Sequence, residues 1–327
     1  MITASERSAG KRYADAVNWV IPGEIPESVA DLTVELTDNP VEVIGDRAKL
    51  VFSALPSGAA REVEPSLPAA GYVLASNASA LRTEPDVPLL IPDINADHLS
   101  LIADQQAGRD WPGLVVTSPN CAVSSFAFPL KALNDAFGVT QAHVVTMQAI
   151  SGAGYPGVAS FDILDNVIPF IKGEEPKVEA EPRKILGTVQ AGQVVPASFP
   201  ISAQVNRVPV TDGHLVAMSF GLKSKASLDE VKAAIANYKA PDSVRSLPSS
   251  PDQLIIVREE EDRPQPRRDR DAQNGMAISV GRIQPCPVMD YKLVVLVHNT
   301  LRGAAGGAIL NAELLVAEGY LGDKPPV

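Results

Sequence analysis

The sequence has few cysteines and no long apolar run. Its 327 residues include two cysteines, too few for a disulfide framework, which favours a reducing cytoplasm. No apolar stretch reaches the ~18 residues of a membrane span. Residues 1–7 lack the apolar region of a secretory signal. We therefore predict a cytoplasmic protein without a membrane partner.

Positive charge is also scarce. The formal net charge is −11, which argues against a nucleic-acid surface and against attraction to anionic membranes. A local basic pocket for a small anionic substrate is compatible with this balance. The length predicts two domains, and a hydrophobic content of 45% is ordinary for a globular protein with a sizeable core.

The first third of the chain alternates short apolar runs with helix-like stretches. This alternation indicates βαβ units, a parallel sheet and a ligand site at the carboxyl ends of the strands. The predicted strands are residues 49–55, 72–75, 87–92 and 113–116.

Longer strands and a turn signal follow in the second part. Asp212-Gly213 predicts a hairpin between residues 205–210 and 214–220, and the segment as a whole predicts a mostly antiparallel sheet. The helical segment 302–316 is expected to pack back on the first domain, which would make that domain discontinuous. Further predicted strands are residues 140–148, 276–283 and 291–297.

Cys121 stands at a strand–turn–helix junction, after the apolar run 113–116 and before a helix-like stretch from Val123. A thiol at a helix N-terminus feels the positive end of the helix dipole, and such thiols have a lowered pKa and react as thiolates. The alternative is a small apolar residue buried at the junction. Cys286, between two prolines, has no comparable setting.

A reactive thiol needs an acid or base partner, and the chain has four histidines. His214 follows the Asp212-Gly213 turn, and in the predicted hairpin it pairs with Thr211. Strand alternation then places Arg207 on the same face. An imidazole and a bidentate anion receptor on one platform would suit a reactive thiolate. A surface hairpin with both side chains solvated is the competing interpretation.

Two other segments have weaker signals. The glycines of residues 151–157 would let backbone N–H groups approach a ligand. The mixed charge run 174–184 is by default a solvated loop.

Taken together, these segments resemble aspartate-β-semialdehyde dehydrogenases of the archaeal and fungal branch. The likeness extends from Ser5 to the C-terminus, and each motif is short, but they occur in the family's order. The matching segments are residues 5–11, 76–82, 118–121, Gln148 with 151–154, 174–187, Arg207 with His214, and 298–306.

The resemblance implies a role for each matching residue. The implied catalytic residues are Cys121 as nucleophile, His214 as acid/base and Gln148. The implied substrate ligands are Arg82 and Lys177 for phosphate, Arg207 for carboxylate, Glu174 for amine, and Asn120. The implied contacts of the NADP cofactor are Ser5, Arg7, Ser8, Ser53, Ser151, Gly152 and Asn299, and no metal site is implied.

The implied reaction is reduction of L-aspartyl-4-phosphate to L-aspartate 4-semialdehyde through a Cys121 thioester, in lysine, threonine and methionine biosynthesis. The implied partners are this small substrate, phosphate and further copies of the chain, as a homodimer or homotetramer. The implied fold is α/β, with a Rossmann-type NADP-binding domain (residues 1–120 plus 301–327). A catalytic and dimerisation domain (residues 121–300) would have the mostly antiparallel sheet.

The family's first strand and glycine-rich phosphate loop have no counterpart before residue 5. We therefore expect an incomplete, N-terminally truncated Rossmann-type domain with weak NADP binding and low stability. A malonyl- or succinyl-CoA reductase of the same fold is one alternative, although Arg82, Glu174 and Lys177 favour the amino-acid substrate. A truncated, non-catalytic binding protein is the alternative from another class.

Overall fold

The computed structural model describes residues 1–21 and 23–321. Of the segment 301–327 assigned to the first domain, residues 322–327 lie outside the described residues. The strands are β1 (Ile2–Ala4), β2 (Val34–Leu36), β3 (Leu50–Ser53), β4 (Val73–Ser76), β5 (Leu114–Thr117), β6 (Val139–Gln148), β7 (Thr188–Gln190), β8 (Gln193–Val195), β9 (Ile201–Arg207), β10 (His214–Leu222), β11 (Ile255–Arg258), β12 (Ile278–Pro285) and β13 (Tyr291–Val297).

Most of the helices are short. The α-helices are α1 (Tyr13–Ala16), α2 (Glu27–Ala30), α3 (Pro40–Ile44), α4 (Ser57–Val63), α5 (Ser66–Ala69), α6 (Pro92–Asn95), α7 (Leu101–Arg109), α8 (Val123–Phe137), α9 (Ser160–Ile163), α10 (Glu175–Ile185), α11 (Leu228–Ala236), α12 (Asp242–Arg245), α13 (Pro266–Asp269) and α14 (Gly306–Ala317). Three 3-10 segments, Gly45–Arg47, Ala96–Ser100 and Ile150–Ala153, and a π-helical turn, Leu301–Ala305, complete the helices.

The first domain contains two small parallel sheets. Strands β3, β4 and β5 form one, and β1 pairs with β2 in the other. The predicted strand 87–92 is wrong, because that segment makes a single bridge, Leu89 to Thr117. Pro88 and Pro92 lack the N–H that a ladder needs, and Pro92 begins α6 instead.

The second domain is built on a six-stranded sheet in the order β11-β12-β13-β10-β6-β9. Three of its pairings are antiparallel, and β11–β12 and β6–β9 are parallel. The α/β class and the mostly antiparallel second sheet are therefore confirmed. Helix α8 packs on this sheet, and its buried Phe126 and Phe128 contribute to the larger core.

The hairpin predicted around Asp212-Gly213 is wrong. Strand β6 lies between β9 and β10, pairing in parallel with β9 and antiparallel with β10. Gln148 is in register with Arg207, and Met147 with Leu215. The local turn signal was overridden because the ten-residue strand β6 offers both neighbours a long partner, and strand pairing depends on such context.

The C-terminal helical segment joins the two halves of the molecule. Helix α14 packs against β4 and α6, so this segment does return to the first domain, while the exact domain boundaries stay a prediction. In the preceding π turn, Arg302 forms a buried ion pair with Asp93 of α6 and lies 4.8 Å over the ring of Phe128. No helix within residues 1–21 and 23–321 is long and apolar enough to cross a membrane.

We expect Asp93→Ala to lower the free energy of unfolding by about 3 to 5 kcal/mol, because it leaves the Arg302 guanidinium buried without its counter-charge. Urea unfolding followed by circular dichroism measures the loss. Asp242→Ala, which removes an exposed partner of Arg245, is the control and should change stability by about 1 kcal/mol or less. Equal effects of the two substitutions would contradict the expectation.

Candidate active site

The turn 118–122 places Cys121 between the end of β5 and the start of α8. Ser118 N–H donates to the Ser76 carbonyl at 2.8 Å, and Asn311 of α14 donates to Ser118 Oγ at 3.1 Å. The side-chain oxygen of Asn120 accepts from Ala122 N–H at 2.9 Å. The turn is thus held by the parallel sheet, by α14 and by its own asparagine.

Cys121 is in direct contact with His214. Its Sγ lies 3.2 Å from His214 Nε2, and the buried His214 Nδ1 accepts from Ala149 N–H at 3.1 Å. An imidazole nitrogen that accepts has no proton, so the neutral ring has its proton on Nε2. His214 therefore faces Cys121 as a hydrogen-bond donor.

Both members of this pair are neutral near pH 7. Burial, followed by the charge of Glu174, raises the pKa of Cys121 to about 12, against the opposite effect of Arg82 and Arg207. Burial, with Arg207 and His298, lowers the pKa of His214 to about 3. The lowered thiol pKa predicted from the helix N-terminus is therefore wrong, because desolvation outweighs the nearby amide of Ala122.

Glu174 is the centre of a polar network near Cys121. Its Oε1 accepts from Asn120 Nδ2 at 2.6 Å and from Gln148 Nε2 at 3.1 Å. Lys177 Nζ lies 3.6 Å from Oε2. Residues 174–184 are thus not a solvated loop, because they form α10 and its N-cap, with Glu174 buried.

Two of the three predicted anion ligands, Arg207 and Arg82, are fixed by hydrogen bonds. Arg207 Nη1 donates to the Ala149 carbonyl at 2.7 Å. Arg82 donates from Nη1 to Glu181 at 3.0 Å and from Nη2 to the Asn77 carbonyl at 2.8 Å. Sequence reasoning assigned no role to Glu181. Its place seven residues after Glu174, and hence on the same face of a helix, was the signal that could have identified it.

These groups surround one cavity of about 430 Å³. Gln148 and His214 are buried behind its wall. The predicted site residues that line it are Arg82, Asn120, Cys121, Ser151, Gly152, Glu174, Lys177, Arg207 and Asn299. The structure does not bring four predicted cofactor residues to this cavity: Ser5, Arg7 and Ser8 lie in the turn after β1, and Ser53 ends β3.

Two glycines keep the wall beside Cys121 thin. A Cβ on Gly152 would lie 2.7 Å from Arg207 Nη1 and 2.9 Å from His214 Cε1. A Cβ on Gly303 would lie 2.9 Å from the Cβ of Cys121. Asn299 Nδ2 donates to Ser151 Oγ at 2.9 Å and completes a wall of small polar groups. Neither glycine position can therefore accommodate a side chain without displacing Cys121, Arg207 or His214.

The fold and this site define the class of protein. A family model for the semialdehyde dehydrogenase NAD binding domain matches residues 1–102. A model for the semialdehyde dehydrogenase dimerisation domain matches residues 130–302. The chain is thus a semialdehyde dehydrogenase, with an NAD-binding domain followed by a dimerisation domain.

Individual relatives narrow the class to one family. The aspartate-semialdehyde dehydrogenase of Archaeoglobus fulgidus is 51% identical over 97% of this chain and 90% of that protein. The Schizosaccharomyces pombe enzyme is 46% identical over 98% and 91%. The crystal structure of the Candida albicans enzyme with NADP superposes with a TM-score of 0.88 at 39% identity, over 98% of this chain and 91% of that one. The chain belongs to the aspartate-semialdehyde dehydrogenase family, and its likeness to archaeal and fungal members is confirmed.

We expect the alkylation of Cys121 by iodoacetamide to keep accelerating above pH 9, because burial holds the thiol protonated. Glu174→Gln removes a negative charge that raises the pKa of Cys121, so alkylation at pH 8 should speed up, about tenfold for each unit by which the pKa falls. Alkylation is followed by mass spectrometry in a Cys286→Ser variant, in which Cys121 is the remaining thiol.

The control is Glu175→Gln, which should leave the alkylation rate unchanged. The Glu175 carboxylate accepts from Val205 N–H. A plateau of the rate near pH 8 in the parent protein would contradict the raised pKa.

We expect Gly303→Ala to lower kcat at least tenfold, because the added methyl group would displace Cys121 from its contact with His214. A steady-state assay with circular dichroism as a folding check measures this. Gly58→Ala, in open space on α4, should retain full activity. Wild-type kcat in the Gly303→Ala variant would contradict the expectation, because it would show that a methyl group fits beside Cys121.

Proposed function

We propose that this chain catalyses the NADP-dependent reductive dephosphorylation of L-aspartyl-4-phosphate to L-aspartate 4-semialdehyde. The observation that carries the proposal is the 3.2 Å contact between Cys121 Sγ and His214 Nε2. It lies beside a cavity lined by two cationic groups for a phosphate, Arg82 and Lys177, and by Glu174. The activity named for the archaeal and fungal relatives supports it.

The residues beside Cys121 fit the nicotinamide end of NADP. Ser151, Gly152 and Asn299 would hold this end, since they form the thin polar wall on which a planar ring can lie. Bound NADPH supplies the hydride that reduces the acyl carbon. Ser5, Arg7, Ser8 and Ser53 are proposed for the adenosine end, away from the cavity.

Cys121 acts as the nucleophile. Its sulfur bonds to the acyl carbon, and the bond between that carbon and the bridging oxygen of the phosphate breaks. The thiol proton leaves with the phosphate, which Arg82 and Lys177 hold. When the thioester carbon is reduced, the Nε2–H of His214 stabilises the negative oxygen. The C–S bond then breaks, the aldehyde forms, and the sulfur regains a proton from solvent.

The remaining substrate ligands orient the molecule. Arg207 is proposed to bind the α-carboxylate of the substrate, and Glu174 to bind its amine. Both side chains are held by hydrogen bonds. Gln148 and Asn120 both donate to Glu174. They would therefore fix the carboxylate that binds the amine and orient the intermediate relative to Cys121. A CoA thioester, the alternative substrate, would not use Glu174 and Lys177 in this way.

The assembly and the location follow from the same assignment. The matched dimerisation domain supports a homodimer through the second domain, and we infer that any tetramer would pair two such dimers. Both cysteines are free, which suits the reducing cytoplasm that we propose as its location.

The test is a phosphate-dependent assay of NADP reduction with L-aspartate 4-semialdehyde. We expect activity in the wild-type chain and a loss of at least a thousandfold in Cys121→Ala, because no other group can form the acyl intermediate. Cys286→Ala should retain wild-type kcat as the matched control. Normal turnover by the Cys121 variant, or none by the wild type, would overturn the proposed function.

A further inference from the structure

We propose that Glu181 is a positioning residue that holds Arg82 and the turn of the nucleophile in one geometry. The inference rests on the proposed function, which makes Arg82 a phosphate ligand. Glu181 would act through Arg82 and through the backbone of Asn120, without touching the substrate.

One buried carboxylate connects the two halves of the site. Glu181 Oε1 accepts from Arg82 Nη1 at 3.0 Å, and Oε2 accepts from Asn120 N–H at 2.5 Å. The residue is 4% exposed. Burial raises the pKa of Glu181 against the opposite effects of Arg82 and the Asn120 amide. These two donors oppose the effect of burial on the carboxylate, and each donor is held in place by its bond to Glu181.

The same helix also holds the backbone of the loop that contains Arg82. One turn after Glu181, Lys184 Nζ donates to the carbonyls of Arg82 and Val87 at 2.8 Å each, and to that of Glu84. Arg82 Nε has no hydrogen-bond partner among the described residues, which leaves it as a donor not yet used. Helix α10 thus fixes both the guanidinium and its loop beside the cavity.

Glu181→Gln separates positioning from simple electrostatics. A glutamine has one acceptor oxygen, so it loses the bond to Arg82 or the bond to Asn120 and turns an N–H₂ group toward the other donor. If Glu181 merely reduced the positive charge at the site, the substitution would tighten the binding of phosphate. If it positions Arg82, the binding of phosphate weakens.

The experiment is a double-mutant cycle with inorganic phosphate on the full chain. Titration calorimetry measures the Kd of wild type, Glu181→Gln, Arg82→Met and the double variant. We expect Glu181→Gln to raise the Kd about tenfold, the size of one lost charge-assisted hydrogen bond, and to add nothing in the Arg82→Met background. Glu179→Gln, on the same helix with its carboxylate on Ala203 N–H, should bind phosphate like wild type.

Turnover supplies a second readout that a general folding defect would not give. In the NADP-reduction assay, Glu181→Gln should raise the KM for phosphate and leave the KM for the aldehyde unchanged. Should this variant not fold, Glu181→Asp keeps the charge but is too short to reach both donors, and the same weakening is expected.

Unchanged or tighter phosphate binding, additive effects in the cycle, or no phosphate binding by the wild type would each overturn the role of Glu181. If phosphate binding changes as expected across the double-mutant cycle but the wild type shows no turnover, the proposed function is rejected and the role of Glu181 stands.

Discussion

The site depends on a buried contact between two groups that are both neutral near pH 7. Cys121 and His214 meet where Gly152 and Gly303 leave no room for another side chain. Desolvation keeps the thiol protonated and the imidazole uncharged. The positive groups that lower the pKa of Cys121 are Arg82 and Arg207, the two arginines that we propose as ligands of anionic substrate groups. In that proposal, the same cations influence both the reactivity of the thiol and the binding of the substrate.

The register of the large sheet brings the partners of the thiol together. Ala149, the residue after the end of β6, has a carbonyl that accepts from Arg207 and an N–H that donates to His214. Local patterns predicted that Arg207 and His214 would be neighbours, but through a hairpin that does not exist. The true link is a strand about sixty residues earlier in the chain. Pairings at that separation leave no signal in a local turn motif, although strand alternation still assigned both side chains to one face.

Short-range order was the part of the fold that the sequence encoded most clearly. The strand–turn–helix around Cys121 and the parallel strands β3, β4 and β5 follow from apolar runs and breakers. The state of the thiol did not follow, because a helix N-terminus is visible in a sequence while desolvation is a property of the packed molecule. For the same reason the charged residues 174–184 looked solvated, although one face of α10 is buried against the site.

Under the proposed function, the charged residues along this helix would set the spacing of the substrate groups that the site accepts. Glu174, Lys177, Glu181 and Lys184 are spaced three, four and three residues apart, so they form one stripe along α10 and its N-cap. At a rise of ~1.5 Å per residue, the proposed amine and phosphate ligands start ~4.5 Å apart along the axis. Helix α10 also fixes the turn that contains Cys121, because Glu181 accepts from Asn120 N–H. In that proposal, a molecule with its amine and phosphate at another spacing would lose contact with one of these ligands, because both are fixed to the helix that also holds the turn of the nucleophile.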